Sequence, residues 1–244
     1  MAYRKENNVH REDIFNVLMD SYQKGSLDGK ENFTFTNFLG NAMALFLANF
    51  ETTSRLVQSC LLELAHNPEI QDRMRNEVRT ILQKYNNKIT YEAITEMTYV
   101  EQALYETMRK YPLLTFLSRN AAEDVKVLGS DVILEKGTLL LISVQGIHYN
   151  PDFYPDPEKY DPDRFTYEAI KSRPSCSFLG FGDGPRNCFG SKLGLLQGKL
   201  VITNILINYK ISPSPKVPYP LRYKSTEYSV LMPDTGCWLI MEKI

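Results

Sequence analysis

Ten residues, Phe181-Gly182-Asp183-Gly184-Pro185-Arg186-Asn187-Cys188-Phe189-Gly190, constrain this chain more than any other stretch. Three glycines and a proline crowd around one cysteine, immediately before an apolar run. Glycine tolerates a left-handed backbone and lets something bulky and flat approach closely. A cysteine just ahead of a helix meets the partial positive charge of that helix end, which favours the thiolate. Arg186 supplies a cation for an anionic group nearby. An isolated cysteine before a helix is usually a buried, inert thiol; the full decapeptide argues for a reactive or ligating sulfur instead.

The rest of the composition sets bounds. At 244 residues, 43% hydrophobic and 23% charged, the chain can bury a sizeable core in one or two domains. A net charge of −1 disfavours non-specific nucleic-acid binding. His10, His66 and His148 are too scattered for a histidine cage, and Cys60, Cys176, Cys188 and Cys237 show no CxxC spacing, which excludes a zinc ribbon. No disulfide framework is legible, which favours a reducing compartment. Met1–Asn8 is polar, neither signal peptide nor anchor. Phe38–Phe50 is too short to span a bilayer, and Leu193–Ile207 is interrupted by Gln197, Lys199 and Asn204, so both read as buried helices.

Helical periodicity runs from His10 to Lys24, with a loop from Gly25 to Lys30. Thr34 is placed to cap a long helix over 34–65 whose middle, Ala42–Phe50, is apolar nearly all round, as in a helix central to a large core. Asn67-Pro68-Glu69 reads as a capped start for a helix with Ile70, Met74, Val78, Ile81 and Leu82 on one face. Val100, Leu104 and Met108 mark another over 99–110, ended by Pro112. Residues 118–143 read as strand-rich, with Glu135-Lys136-Gly137 as a turn, and 149–180 as an ordered, proline-rich irregular segment. A last helix is expected over 191–208, with Leu193, Leu196, Leu200 and Ile207 inward, then a terminal hairpin over 226–242 from Thr226–Leu231 and Gly236–Glu242. The fold class is mainly α with small β-sheet elements.

The decapeptide resembles FxxGxRxCxG, the haem-binding signature of the cytochrome P-450 superfamily of haem-thiolate monooxygenases. The resemblance makes Cys188 the axial iron ligand, Arg186 the partner of a haem propionate and Phe181 the ring beside the thiolate, with Gly182 and Gly190 shaping the loop. Further matches follow in the family's order. Glu106-Thr107-Met108-Arg109 resembles ExxR, whose carboxylate and guanidinium share a helix face. Pro162-Asp163-Arg164-Phe165 resembles PERF, with Asp163 in place of the commoner glutamate. Glu106, Arg109 and Arg164 would lock the core behind the cysteine loop, a structural role.

Ala48-Asn49-Phe50-Glu51-Thr52-Thr53 resembles the AGxET segment on the distal side of the haem. The resemblance assigns Thr52 and Glu51 to proton delivery towards iron-bound dioxygen; the bland alternative is a bent helix with Thr52 bonded back to its own turn. The usual glycine is Asn49, which puts a side chain where the family keeps space for dioxygen. Arg119 matches a second propionate-binding position, with a surface charge as its alternative. Leu113–Leu117 and Lys224–Val230 match pocket-lining regions, His148 reads as structural, and Cys60, Cys176 and Cys237 as buried or incidental thiols. Gly180 stands where the family commonly has proline, which predicts a looser entry to the loop.

The resemblance covers nearly the whole chain and corresponds to the C-terminal portion of the cytochrome P-450 fold in a microsomal, insect-type member, the whole of 1–244 being part of a single haem-thiolate monooxygenase domain with its cysteine loop at 181–190. It implies a haem b (iron protoporphyrin IX) cofactor whose iron is held by Cys188, thiolate ligation favouring O–O cleavage. It also implies dioxygen, an apolar small-molecule substrate (xenobiotic, plant toxin or endogenous lipid or hormone), and electrons from NADPH through a flavin reductase docking near Arg186, Lys192 and Lys199. The expected location is the endoplasmic reticulum membrane, held by an N-terminal segment not legible here. A non-enzymatic alternative is a truncated haem-binding remnant or incomplete gene model, and a haem-thiolate isomerase is a third reading, disfavoured by Glu51-Thr52.

Overall fold

A computed structural model of the chain describes residues 1–27, 29–221 and 236–244. It divides into two compact units, Met1–Thr52 and Thr53–Ile244.

The first unit holds α1 (Ala2–Glu6), α2 (Ile14–Lys24), the short paired strands β1 (Ser26–Leu27) and β2 (Lys30–Glu31), and the first part of α3, which as a whole runs Phe35–His66. The Asp13 side chain accepts from the Asn16 N–H to start α2, and Gly25, at φ 67°, closes it. A left-handed residue is what a helix C-terminus asks for, and only glycine adopts it without cost. At the start of α3 the Thr34 hydroxyl accepts from the Asn37 N–H while the Asn37 side chain accepts from the Thr34 N–H, a reciprocal cap with Asn in the usual Glu position. A small core gathers Leu18, Met19, Phe33 and Phe38. The apolar middle of α3 departs from the expectation of a fully buried helix: Leu39, Met43, Phe46, Leu47 and Phe50 are exposed, with the Phe46 and Phe50 rings stacked on one another. Among the described residues nothing covers that stripe.

The second unit is built around α6 (Thr98–Lys110). The remainder of α3, α4 (Pro68–Lys84), α5 (Tyr91–Glu96) and α9 (Ser191–Asn208) surround it, and their apolar faces meet in one core of Leu56, Cys60, Leu64, Met74, Val78, Ile94, Met97, Val100, Leu104, Met108, Ile202 and Leu206. α4 begins at Pro68, but Asn67 does not cap it; its amide turns back to donate to the Glu63 carbonyl and carboxylate. α5 is a further helix that periodicity did not reveal, capped by the Thr90 hydroxyl and too short to show a repeat.

The strand-rich part forms two antiparallel pairs: β3 (Phe116–Asn120) lies against β6 (Leu139–Ser143) with Arg119 opposite Leu140, and the short β4 (Val125–Lys126) against β5 (Ile133–Leu134). α7 (Val144–His148) follows β6, and α8 (Tyr167–Ser172) follows a 3-10 turn at Pro162–Phe165.

One expectation about these elements needs correction. The inward face of α9 is Gly198, Lys199, Ile202, Thr203 and Leu206, whereas Leu193 and Leu200 are exposed. A helix apolar nearly all round carries no phase from which to read its buried side. The terminal strand β8 (Leu239–Lys243), which falls in the expected arm Gly236–Glu242, pairs with β7 (Tyr209–Pro213), directly after α9; the other arm of the expected 226–242 hairpin, 226–231, lies outside the described residues, as does the pocket-lining stretch 224–230. Among the described residues no helix is long and apolar enough to cross a membrane.

Candidate functional site

The cysteine loop emerges from the segment after α8 and ends where α9 begins. Gly182 and Gly184 take φ values of 72° and 77°, which no β-carbon-bearing residue adopts freely, and they turn the chain around the 3-10 turn Gly184–Arg186. The Phe181 carbonyl accepts from the Cys188 N–H at 2.8 Å, and the Leu179 carbonyl from the Gly182 N–H at 3.0 Å. The Phe181 ring meets the edge of Tyr105 on α6, so the base of the loop is fixed to the core. Asp183 accepts from the Gly184 N–H and from the Cys176 thiol, the latter at 2.9 Å. That bond raises the Cys176 thiol and lowers the Asp183 carboxyl.

Cys188 is exposed, and so is its neighbour Phe189. Among the described residues no hydrogen bond reaches the Cys188 sulfur. A β-carbon on Gly190 would stand 3.9 Å from it, so glycine there keeps that side of the sulfur open. Arg186 is exposed and Arg119 half-buried, its guanidinium donating to the Ser118 carbonyl; neither pairs with a carboxylate among the described residues. Nor do three His, Cys, Asp or Glu side chains gather there into a metal site. An open thiol, a guanidinium two residues before it that pairs with no carboxylate among the described residues, and open glycine backbone suit a flat, anionic group whose metal needs one soft protein ligand. These residues fit haem.

Behind the loop, Glu106 and Arg109 are fully buried and form a two-bond pair at 2.6 and 2.8 Å. Burial pushes the Glu106 carboxyl up against the opposing pull of Arg109; for Arg109 burial is the largest single influence and pulls downward, but the hydrogen bond and charge of Glu106, with Tyr149 and Tyr154, together raise it. Glu106 also accepts from the Asp161 N–H, and Arg109 donates to the carbonyls of His148, Pro157 and Lys159. Arg164 approaches Glu106 at 3.5 Å and donates to the Asp156 carbonyl. The structure therefore brings Glu106, Arg109 and Arg164 together. Asp163, the departure from the family pattern, pairs with Arg73 across two bonds.

Other sequence assignments change. Lys199 is buried, donating to Glu101 at 2.8 Å and to the Thr95 carbonyl, so it presents no charge to a docking partner; Lys192 remains exposed. Cys60 is buried and Cys237 half-buried, but Cys176 is exposed. At Gly180 the Phe178 ring lies over the backbone, and a β-carbon there would come within 2.4 Å of the Phe178 Cζ. The Thr52 hydroxyl donates to the Ala48 carbonyl one turn back, and Asn49 is exposed. Hydropathy carries no signal for the bonds that His148 makes, and the sequence marks that residue only as a structural histidine.

A model of the family described as cytochrome P450 matches residues 2–240. The chain is 40% identical over 242 residues to a probable cytochrome P450 6a13 of Drosophila melanogaster, covering 99% of this chain and 48% of the relative. It is 37% identical to cytochrome P450 6a2 of the same fly, across 100% of this chain and 49% of the relative. Cytochrome P450 6k1 of Blattella germanica is 33% identical, across 99% and 49%. This chain belongs to the cytochrome P450 family, whose cofactor is haem, and it spans about half the length of the curated relatives it matches.

Proposed function

We propose that the protein is a haem-thiolate monooxygenase that inserts one oxygen atom of dioxygen into an apolar small molecule, with electrons from NADPH passed through a flavin reductase. The observation that carries this reading is the open Cys188 sulfur on a glycine loop that is closed by its own backbone bonds and held by the Phe181–Tyr105 ring contact against a core containing the buried Glu106–Arg109 pair. Cys188 would hold the iron, and Arg186 and Arg119 would neutralise the propionates. When bound, the haem supplies the oxygen chemistry, with electron density from the thiolate. Thr52 and Glu51 are assigned to proton delivery on the strength of the AGxET resemblance.

Reductase docking falls to Arg186 and Lys192, the exposed cations of the loop and of the first turn of α9. A xenobiotic or plant toxin as substrate, and residence on the endoplasmic reticulum membrane, belong to the same proposal and rest on likeness to the insect relatives.

The test is a reduced, carbon-monoxide difference spectrum of the hemin-loaded chain. A strongly red-shifted Soret band is expected, and Cys188→Ala abolishes it; a histidine-type or free-hemin spectrum overturns the reading. The exposed apolar stripe on α3 favours a second reading, a haem-binding chain without turnover. A thiolate spectrum with no NADPH-driven product in the presence of reductase would select it.

A further inference from the structure

His148 is fully buried at the end of α7. Its Nε2 accepts from the Leu179 N–H at 2.9 Å, so that nitrogen carries no proton. The proton therefore sits on Nδ1, 3.2 Å from the Arg109 carbonyl, and the ring donates there. Arg109 returns a bond from its guanidinium to the His148 carbonyl at 3.0 Å. One face of the ring stacks on Phe178 at 5.2 Å and 5°, and Phe178 is held by Phe165 at 5.0 Å and Tyr105 at 5.6 Å, both edge-on. Phe178 can reach this position because residue 180 has no side chain.

From Leu179 the connection continues through backbone. The Leu179 carbonyl bonds the Gly182 N–H, and the Phe181 carbonyl bonds Cys188. A continuous set of hydrogen bonds and chain links thus runs from Arg109 through His148 to the residue bearing the thiol.

We propose that His148 is a positioning residue for Cys188: its neutral ring transmits the fixed placement of the Glu106–Arg109 pair to residues 178–181 and so sets the base of the cysteine loop. Its consequence for the iron ligand rests on the reading of Cys188 given above; its consequence for the loop does not.

His148→Phe keeps a flat ring against Phe178 and removes both ring nitrogens, leaving the Leu179 N–H buried without an acceptor. His148→Gln keeps one acceptor and one donor. In the hemin-free chain, His148→Phe is expected to speed amide exchange at Leu179 and Cys188 by about fivefold or more relative to the buried turns of α6 and α9. His148→Gln is expected to restore most of that protection. In the hemin-loaded chain, His148→Phe is expected to convert part of the red-shifted carbon-monoxide band to the thiol-type band, and His148→Gln to retain it.

Unchanged exchange at Cys188, or a rise shared equally by α6 and α9, overturns the inference; so does a glutamine variant no better than phenylalanine. Should His148→Phe not fold, Gly180→Ala is read in the same two ways, because its added carbon displaces Phe178 from the histidine. If neither variant folds, the ring is general packing and the inference falls. If the unaltered chain gives no thiolate band, the reading of Cys188 fails while amide exchange still judges His148.

Discussion

Glu106 and Arg109 are ionisable side chains shut away from water, which is tolerable only because each satisfies the other and the surrounding backbone. Removing one partner strands a buried charge. Glu106→Gln is expected to cost about 3–5 kcal/mol in urea-induced unfolding. An apolar double replacement, Glu106→Leu with Arg109→Met, would often be neutral for a plain ion pair. Here it is expected to cost about as much as Arg109→Met alone, because Arg109 also serves the carbonyls of His148, Pro157 and Lys159. Near-neutrality of the double variant would refute that division of labour. His148 adds a pH dependence. Burial lowers its pKa to about 4 from 6.5, with the Arg109 charge on α6 adding to this and Tyr154 and Phe178 offering no charge in return. The unfolded chain therefore binds the proton more readily between those values. The stabilisation is complete above pH 6.5 and is lost as pH falls towards 4, on the order of 3 kcal/mol in all. Unfolding free energies across that range should fall more steeply for the unaltered chain than for His148→Gln.

At the level of elements, α6 and α9 approach closely because Gly198 faces Leu104; a β-carbon there would come within 3.1 Å of the leucine. Gly198→Leu is expected to destabilise by about 1–3 kcal/mol or more, read from the urea midpoint, whereas Leu200→Gln on the exposed side is expected to stay within about 0.5 kcal/mol. The contrast explains what could be read in advance. Amphipathic α4 and α6 disclosed their buried faces through spacing, and Glu106, Arg109 and Cys188 stood out because their motifs are local. α9 disclosed its extent but not its phase, since apolar residues surround it. The strand over Gly236–Glu242 was legible, but its pairing with β7 and the Lys199–Glu101 pair depend on contacts between residues far apart in the chain, which local patterns do not encode. His148 was visible only as a residue, its bonds being made to segments 39 and 31 positions away.

Across the whole molecule, the exposed row Leu39, Met43, Phe46, Leu47 and Phe50 is the feature most out of keeping with an independently soluble chain. Concentration-dependent self-association is expected by light scattering, and Phe46→Glu with Phe50→Glu should reduce it without changing the carbon-monoxide spectrum; undiminished association would place the adhesive surface elsewhere. A different economy governs 149–162. That stretch is largely free of regular structure, yet its carbonyls at Pro157 and Lys159 are held by Arg109 and its Asp161 N–H by Glu106. A protease must lift several consecutive residues into an extended form before it can cut. Lys159, for all its exposure, should therefore resist trypsin as a helix would, and become an early cleavage site once Arg109 is replaced.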